Sequence, residues 1–212
     1  MEQGDRFPGV QDGTDRGLAD SPPLRFGRRQ YDALCGQSGF LVQFGDAHLL
    51  LDPYLSDSLT HKYANTDKPH ERLTARVVAP ERLDFIDAVT SSHNHTDHLD
   101  GETLGPLLQQ NQALEIVVPR ANLSFAANRL QVPVDRLTPI GVQQPIDVGE
   151  FRLTAIPAAH EELEQDEQGN HRMIGLLVEV GGFTLYHSGD TLMYEGMYDY
   201  LPRGVDVAML PI

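Results

Sequence analysis

Short apolar runs separated by polar segments with glycine or proline follow one another from residue 39 onwards. The first two runs, Gly39–Phe44 and His48–Leu51, flank residues 45–47 and predict a β-hairpin. Asp52-Pro53 ends the second run, because proline cannot donate a hydrogen bond to a neighbouring strand. Residues 54–80 are mostly polar and predict a long loop, which inside a domain is usually functional or mobile.

Helical spacing appears in two places. Asp100 can cap a helix in which apolar residues from Leu104 to Leu108 recur at helical spacing, and a second helix is predicted over Asn122–Leu130. The other apolar runs predict strands: Phe85–Thr90, Ile116–Val118, Phe151–Ile156, Leu176–Val180, Phe183–Tyr186 and Val205–Leu210. Gly181-Gly182 between two of these runs predicts a tight hairpin. Many strands with a few helices favour α/β layers over a pure β-sandwich.

The chain of 212 residues is long enough for one sizeable core. Residues 1–28 are rich in Gly, Asp, Arg and Pro and predict a poorly ordered tail before a domain over residues 29–212. No apolar run could span a bilayer, and the N-terminus lacks the apolar stretch of an export signal. We therefore expect a cytoplasmic protein without a membrane partner.

Charge and cysteine content narrow the function classes. The chain has 16 basic and 31 acidic residues and a formal net charge of -15, which counts against a nucleic-acid partner because such proteins neutralise phosphates with basic patches. Cys35 is the only cysteine, so neither an intrachain disulfide nor a thiolate-rich zinc site is available.

The strongest chemical signal is the segment Ser91–His98, directly after a predicted strand. It holds four potential metal ligands: His93, His95, Asp97 and His98. Imidazole and carboxylate groups suit zinc, iron and manganese. In a strand, His93 and His95 would point the same way and could meet one ion, while Asp97 and His98 could reach a second ion or its water. A loop with accidental histidines is the alternative.

The pattern His93-x-His95-x-Asp97-His98 resembles the signature of the metallo-β-lactamase superfamily. Three further segments agree in order: Leu49–Pro53, Ala158–Glu161 and Tyr186–Thr191. Within the superfamily, the segments around residues 51–57, 86–89, 186–190 and 205–212 look most like the L-ascorbate-6-phosphate lactonase branch. The resemblance implies an αββα sandwich with a metal-activated water that hydrolyses an ester-like bond of a small molecule, in this branch a lactone.

The resemblance also implies a role for each candidate residue. His93, His95 and His160 would hold a first divalent ion; Asp97, His98 and Asp190 would contribute to a second, with Asp190 bridging. Zinc or manganese would be expected, with iron as a third choice. Asp97 would also be the catalytic group, orienting the nucleophile and accepting a proton. The alternatives are turn chemistry for Asp190 and a surface loop for His160.

Two candidates stay open between two interpretations. Asp52 either orients a metal ligand or only ends a strand in an Asp-Pro turn. His187 is either a pocket residue or a packing residue at a strand end.

One feature departs from the superfamily pattern. A further histidine, beyond another strand and helix, completes the second metal site in the family, whereas this sequence stops at Ile212. We therefore expect a fragment with an incomplete C-terminal part and a second site that lacks one ligand. Two alternatives to a lactonase-like hydrolase remain: a phosphodiesterase or nuclease on the same metal core, and a degenerate metal-binding domain without catalysis. A homo-oligomer is compatible with the sequence.

Overall fold

The computed structural model describes residues 24–26, 29–31, 39–70 and 76–210. The strands are β1 (Leu24–Phe26), β2 (Arg29–Tyr31), β3 (Phe40–Phe44), β4 (Ala47–Leu51), β5 (Ala88–Thr90), β6 (Glu115–Pro119), β7 (Leu137–Ile140), β8 (Ile146–Val148), β9 (Phe151–Pro157), β10 (Ile174–Val180), β11 (Phe183–His187) and β12 (Val207–Met209). The α-helices are α1 (Ser58–Tyr63), α2 (Gly101–Gln110) and α3 (Leu123–Leu130). The tail predicted over residues 1–28 lies outside the described residues apart from β1, which pairs with β2 in a small antiparallel sheet.

The first large sheet has the strand order β3-β4-β5-β6-β7. The β3–β4 hairpin is confirmed: Phe44 pairs with Ala47, and Gly45 between them has a φ of 60°. The strands from β4 to β7 are all parallel, so their carboxyl ends meet at one edge of the sheet. Loops that leave that edge are where ligands bind in open parallel sheets.

The second large sheet has the order β12-β11-β10-β9-β8. The β10–β11 hairpin is confirmed, with positive φ angles of 57° and 85° at Gly181 and Gly182, the conformation that a two-residue turn between twisted strands requires. Strand β12 runs parallel to β11 at the edge of the sheet.

Alternating burial along β4 shows how the layers are stacked. Leu50 joins an apolar cluster with residues of α2 and α3, such as Leu104 and Ala126. Leu49 and Leu51 point the other way and pack among residues of the second sheet. This period-two alternation produces a layer of helices, a sheet and a second sheet, which confirms the α/β sandwich class.

The outer face of the second sheet is covered by the segment that follows β11. Its apolar cluster includes Tyr186, Leu177 and Met197, with Tyr194 and Tyr200 packed against it. A 3₁₀ turn at Met197–Asp199 lies within this segment, and within the described part of the chain no α-helix residue joins the cluster.

The helix predicted after Asp100 is confirmed as α2, and the Asp100 side chain accepts a hydrogen bond from Glu102 N. The helix predicted over Asn122–Leu130 begins one residue later, because Arg120–Asn122 forms a 3₁₀ turn that leads into α3. No helix among the described residues is long and apolar enough to cross a bilayer.

Several element predictions were wrong in extent. The strand predicted over Phe85–Thr90 begins at Ala88, because Phe85 stays at the surface with its ring 4.8 Å from that of His48. The predicted loop 54–80 contains α1, whose amide at Leu59 donates to the Tyr54 hydroxyl at 3.0 Å, and its last residue begins a 3₁₀ turn at Pro80–Arg82. Strands β7 and β8 were not predicted at all.

Candidate metal centre

The candidate ligands lie in four loops, each of which follows the carboxyl end of a strand. Asp52 follows β4, the His93–His98 segment follows β5, His160 follows β9 and Asp190 follows β11. Two of these strands belong to the first sheet and two to the second. Packing the sheets face to face therefore brings residues that are far apart in sequence to one rim of the sandwich, here called the metal rim.

The His93–His98 segment is a compact turn and not an extension of the strand. Strand β5 ends at Thr90, and the carbonyl oxygen of His95 accepts hydrogen bonds from the amides of His98 (3.2 Å) and Leu99 (2.8 Å). The expectation that strand alternation aligns His93 with His95 was wrong. Their rings are nevertheless close, with centroids 4.5 Å apart, because the turn folds the backbone back on itself.

Asp190 lies at the centre of the cluster. Its Oδ2 is 3.1 Å from Nε2 of His98 and 3.9 Å from Nε2 of His93. Asp97 approaches the same histidine, with Oδ2 3.7 Å from His98 Nε2. Three sets of donors converge within 4.8 Å of one another: Asp52, His93 and His98; His93, His95 and Asp190; and Asp97, His98 and Asp190.

His160 borders the cluster on its exposed side. Its ring centroid is 5.2 Å from that of His95, and the two rings are nearly perpendicular. The backbone beside it is tied to the Asp190 loop, since Ala159 N donates to Thr191 Oγ1 and Leu192 N donates to Ala159 O at 2.7 Å. Among the described residues, five of the six predicted ligands thus belong to the converging donor sets, while His160 lies beside His95 at their border.

Asp52 lies beneath the cluster and is completely buried. Its Oδ2 contacts Nδ1 of His98 at 2.6 Å, and its Oδ1 accepts a hydrogen bond from Ser92 N at 2.7 Å. Its φ of 43° lies in the left-handed region, which is sparsely populated by non-glycine residues and more common for aspartate than for most others. This geometry favours the interpretation in which Asp52 orients His98, because a hydrogen bond at Nδ1 leaves Nε2 to face the cluster.

His187 is buried at the end of β11, where its ring meets Phe40 edge-on at a centroid distance of 5.8 Å. It faces the core in the manner of a packing residue. It is also close enough to Asp52 for its charge to lower the pKa of that carboxylate.

Ser92 is a residue that sequence reasoning missed. Its hydroxyl donates to Asp52 Oδ2 and lies 3.0 Å from Nδ1 of His93 and 3.4 Å from Nδ1 of His98. One buried hydroxyl therefore connects the carboxylate with two candidate ligands. A serine beside a histidine motif carries no signal of its own in the sequence.

Gly189 was also missed. It has a φ of 56°, and a Cβ at this position would lie 2.9 Å from Ile174 O and 3.0 Å from both Cβ and Oγ of Ser92. Only glycine lets the Asp190 loop approach Ser92 so closely.

Burial and neighbouring charges shift the pKa values of the cluster in opposite directions. Burial raises the pKa of Asp52, but His187, His98 and the hydrogen bonds from His98 and Ser92 outweigh burial and lower it to about 2. Burial opposes a charge on His98, yet Asp52 and Asp190 raise the pKa of His98 to about 10. Burial and the neighbouring His98 lower the pKa of His93 to about 3, so this imidazole is neutral and retains a lone pair.

The residues fit a divalent cation. His93 is 2% exposed, and its Nε2 has no hydrogen-bond partner among the described residues, an arrangement that is costly unless a ligand satisfies the atom. Nε2 of His98 lies 3.1 Å from Asp190 Oδ2, where a cation could bind between the two groups in place of a proton. Imidazole and carboxylate donors without thiolate suit zinc, manganese or iron.

Comparison with protein families gives matches over most of the chain. The model of the family described as "Beta-lactamase superfamily domain" matches residues 48–212. A "UPF0173 metal-dependent hydrolase" of Archaeoglobus fulgidus is 30% identical over 183 residues, covering 84% of this chain and 68% of that protein. One of Alkaliphilus metalliredigens is 28% identical over 181 residues, covering 84% of this chain and 70% of that protein. The chain thus spans about two thirds of the length of these relatives.

A solved structure shares the fold. CmlA, a diiron beta-hydroxylase from Streptomyces venezuelae, superposes with a TM-score of 0.58 at 22% identity, covering 82% of this chain and 33% of CmlA. At this identity the likeness concerns the fold alone, because one fold can carry different chemistry.

Proposed function

Because the chain belongs to the beta-lactamase superfamily, and within it to the UPF0173 family of metal-dependent hydrolases, we propose that its metal rim holds two divalent cations and hydrolyses an ester-like bond of a small molecule. The observation that carries the proposal is the position of the Asp190 carboxylate between Nε2 of His98 and Nε2 of His93, which has no hydrogen-bond partner among the described residues. From this position the carboxylate could contribute to both proposed cations.

The proposed ligand sets combine the converging donors with His160, which the family resemblance adds and whose ring lies beside that of His95. His93, His95 and His160 would hold one cation, and Asp97 and His98 would hold the other, with Asp190 shared. When bound, such cations supply an acidified water near neutral pH and polarise a carbonyl oxygen. Zinc or manganese is the proposed metal, with iron as the third candidate for this donor set.

The chain's own residues position the reaction. Asp52 and Ser92 fix the ring of His98, and Ser92 also holds Nδ1 of His93. Asp97 is 22% exposed and lies beside His98 on the open side of the cluster, where its carboxylate can orient a water and accept its proton.

For the substrate we propose a small molecule with an ester-like bond, a lactone if the likeness to the lactonase branch extends to chemistry. The net charge of -15 weighs against the main alternative, a phosphodiesterase or nuclease, because a polyanion would be repelled. A cytoplasmic location remains a prediction from the sequence.

The test combines metal analysis with a panel of lactones, esters and phosphodiesters on the parent chain, an Asp190→Asn variant and an Asp147→Asn control at an exposed ion pair with Arg152. We expect metal-dependent lactone or ester turnover that Asp190→Asn lowers by about 10³-fold, the scale on which a key electrostatic group acts. The control should retain parental turnover.

Other outcomes would replace the proposal. Preferential turnover of phosphodiesters would support the nuclease-like alternative. Stoichiometric metal without turnover would support a non-catalytic domain, and a chain that binds no divalent cation would overturn the metal centre itself.

A further inference from the structure

Arg129, in the last turn of α3, contacts the back of the histidine turn. Its Nη1 donates to the carbonyl oxygen of Asn94 at 2.6 Å and to that of Leu99 at 3.2 Å. These two carbonyls flank the segment that carries His95, Asp97 and His98. One guanidinium therefore joins the two ends of the turn.

On its cluster side the turn is held by Asp52 and Ser92, which contact His98 and His93. Inside it, the carbonyl of His95 already accepts the amides of His98 and Leu99. The carbonyls of Asn94 and Leu99 instead face α3, where the charged donor of Arg129 meets both. Hydrogen bonds from a charged donor are roughly twice as strong as those between neutral groups.

The guanidinium is itself held in place. Its Cζ lies 4.5 Å above the ring of Phe125, one turn earlier on α3. Burial lowers the pKa of Arg129, and the Asp100 carboxylate opposes this effect. The Asp100 carboxylate is in turn fixed by Ser56 and Thr103, each at 2.6 Å.

We propose that Arg129 is a positioning residue of the metal rim: it clamps the His93–His98 turn from behind and so sets the spacing of the donors for a divalent cation. This inference rests on the proposed function for its metal, but the clamp itself is a property of the metal-free chain. Arginine suits the role because its Nη1 carries two N–H groups, one for each carbonyl, on a planar group that can stack on the Phe125 ring, whereas lysine presents a point charge on a flexible stem.

The experiment compares Arg129→Met, which keeps the aliphatic stem, with Arg129→Lys and with Arg152→Met, a control at an exposed arginine of β9. Two quantities are measured. The first is amide hydrogen exchange of the metal-free chain at His98 and Leu99, with β10 amides as internal reference. The second is the affinity for Zn²⁺, by competition with a chromophoric chelator.

We expect Arg129→Met to speed exchange at His98 and Leu99 by about tenfold or more without changing β10, since the opening is local. Zn²⁺ affinity should fall by about 10–100-fold, the usual effect of losing a group that orients a ligand. Arg129→Lys should give intermediate values in both measurements, and Arg152→Met should match the parent.

Two results would overturn the clamp. In the first, the exchange rates and the Zn²⁺ affinity of Arg129→Met stay within about twofold of the parent values, a change well below the effect of losing an orienting group. The other is equal acceleration in β10, which would show a general structural role. If Arg129→Met does not fold, Arg129→Lys decides by the same criteria. A parent chain that binds no Zn²⁺ would count against the proposed function, while exchange in the metal-free chain would still decide the inference.

Discussion

Two histidine–aspartate pairs lie at opposite ends of β4 and behave differently. At the metal rim, Nδ1 of His98 is 2.6 Å from Asp52, and the two side chains are 1% and 0% exposed. At the other end, Nδ1 of His48 is 3.9 Å from Asp87, with exposures of 16% and 57%. The same residue types thus form a tight buried pair in one place and a loose solvated pair in the other.

The end of β4 near Asp87 borders a cleft of about 600 Å³. It is lined among others by Asp84, Asp87, Asn111, Glu115 and Gly149. Yet in the part of the chain that the structure describes, all three groups of converging metal donors lie at the metal rim. Acidic residues around a cavity therefore do not suffice, because the candidate metal donors among the described residues converge only where histidine nitrogens lie close to carboxylates.

Removing the charge of the aspartate should give the largest difference in stability between the two pairs. Asp52→Asn removes the buried partner of His98 and should lower the free energy of unfolding of the metal-free chain by about 3 kcal/mol or more. Asp87→Asn acts on an exposed pair and should change it by less than about 1 kcal/mol. Urea unfolding measures both, and equal losses would contradict the contrast between the two ends.

Replacing a glycine by alanine should give a smaller difference in stability between the two ends of β4. Gly189 at the metal rim and Gly149 at the cleft have nearly the same φ, 56° and 55°, but a Cβ would clash only at Gly189. Gly149→Ala should therefore cost about 1–2 kcal/mol from backbone strain alone. Gly189→Ala should cost a further 1–3 kcal/mol, roughly, because Ile174 and Ser92 must move. Thermal or urea unfolding would reveal the difference, and equal costs would show that the close approach is not maintained.

Removing the Ser92 hydroxyl at the metal rim should give the smallest effect. Ser92→Ala should lower metal affinity by about tenfold, because His93 and His98 each lose a contact that orients the ring. Asn111→Ala serves as the control at the cleft. It removes bonds to Ile86, Leu83 and Leu107 and should lower stability by about 2 kcal/mol while leaving metal affinity unchanged. Zn²⁺ titration of both variants measures these affinities. If Ser92→Ala bound Zn²⁺ as tightly as Asn111→Ala, Ser92 would have no role in orienting the metal ligands.

The sequence by itself determined the local features. The hairpins at Gly45 and Gly181-Gly182, the cap at Asp100 and the clustering of donors between His93 and His98 depend on neighbouring residues, so turn chemistry and period-two alternation predicted them. It did not predict strands β7 and β8 or helix α1, which are short and depend on their packing.

The tertiary structure alone decided the rest of the site. Asp52 lies 40 residues from the Ser92 that it contacts, and Asp190 lies 92 residues from His98. No local pattern carries that information, although a family resemblance anticipated the residues. The physical reason is that parallel strands of one sheet share a carboxyl edge, and packing against a second sheet places its loops at the same rim. Ser92, Gly189 and Arg129 take their importance only from that convergence, because each acts through contacts that the folded chain creates.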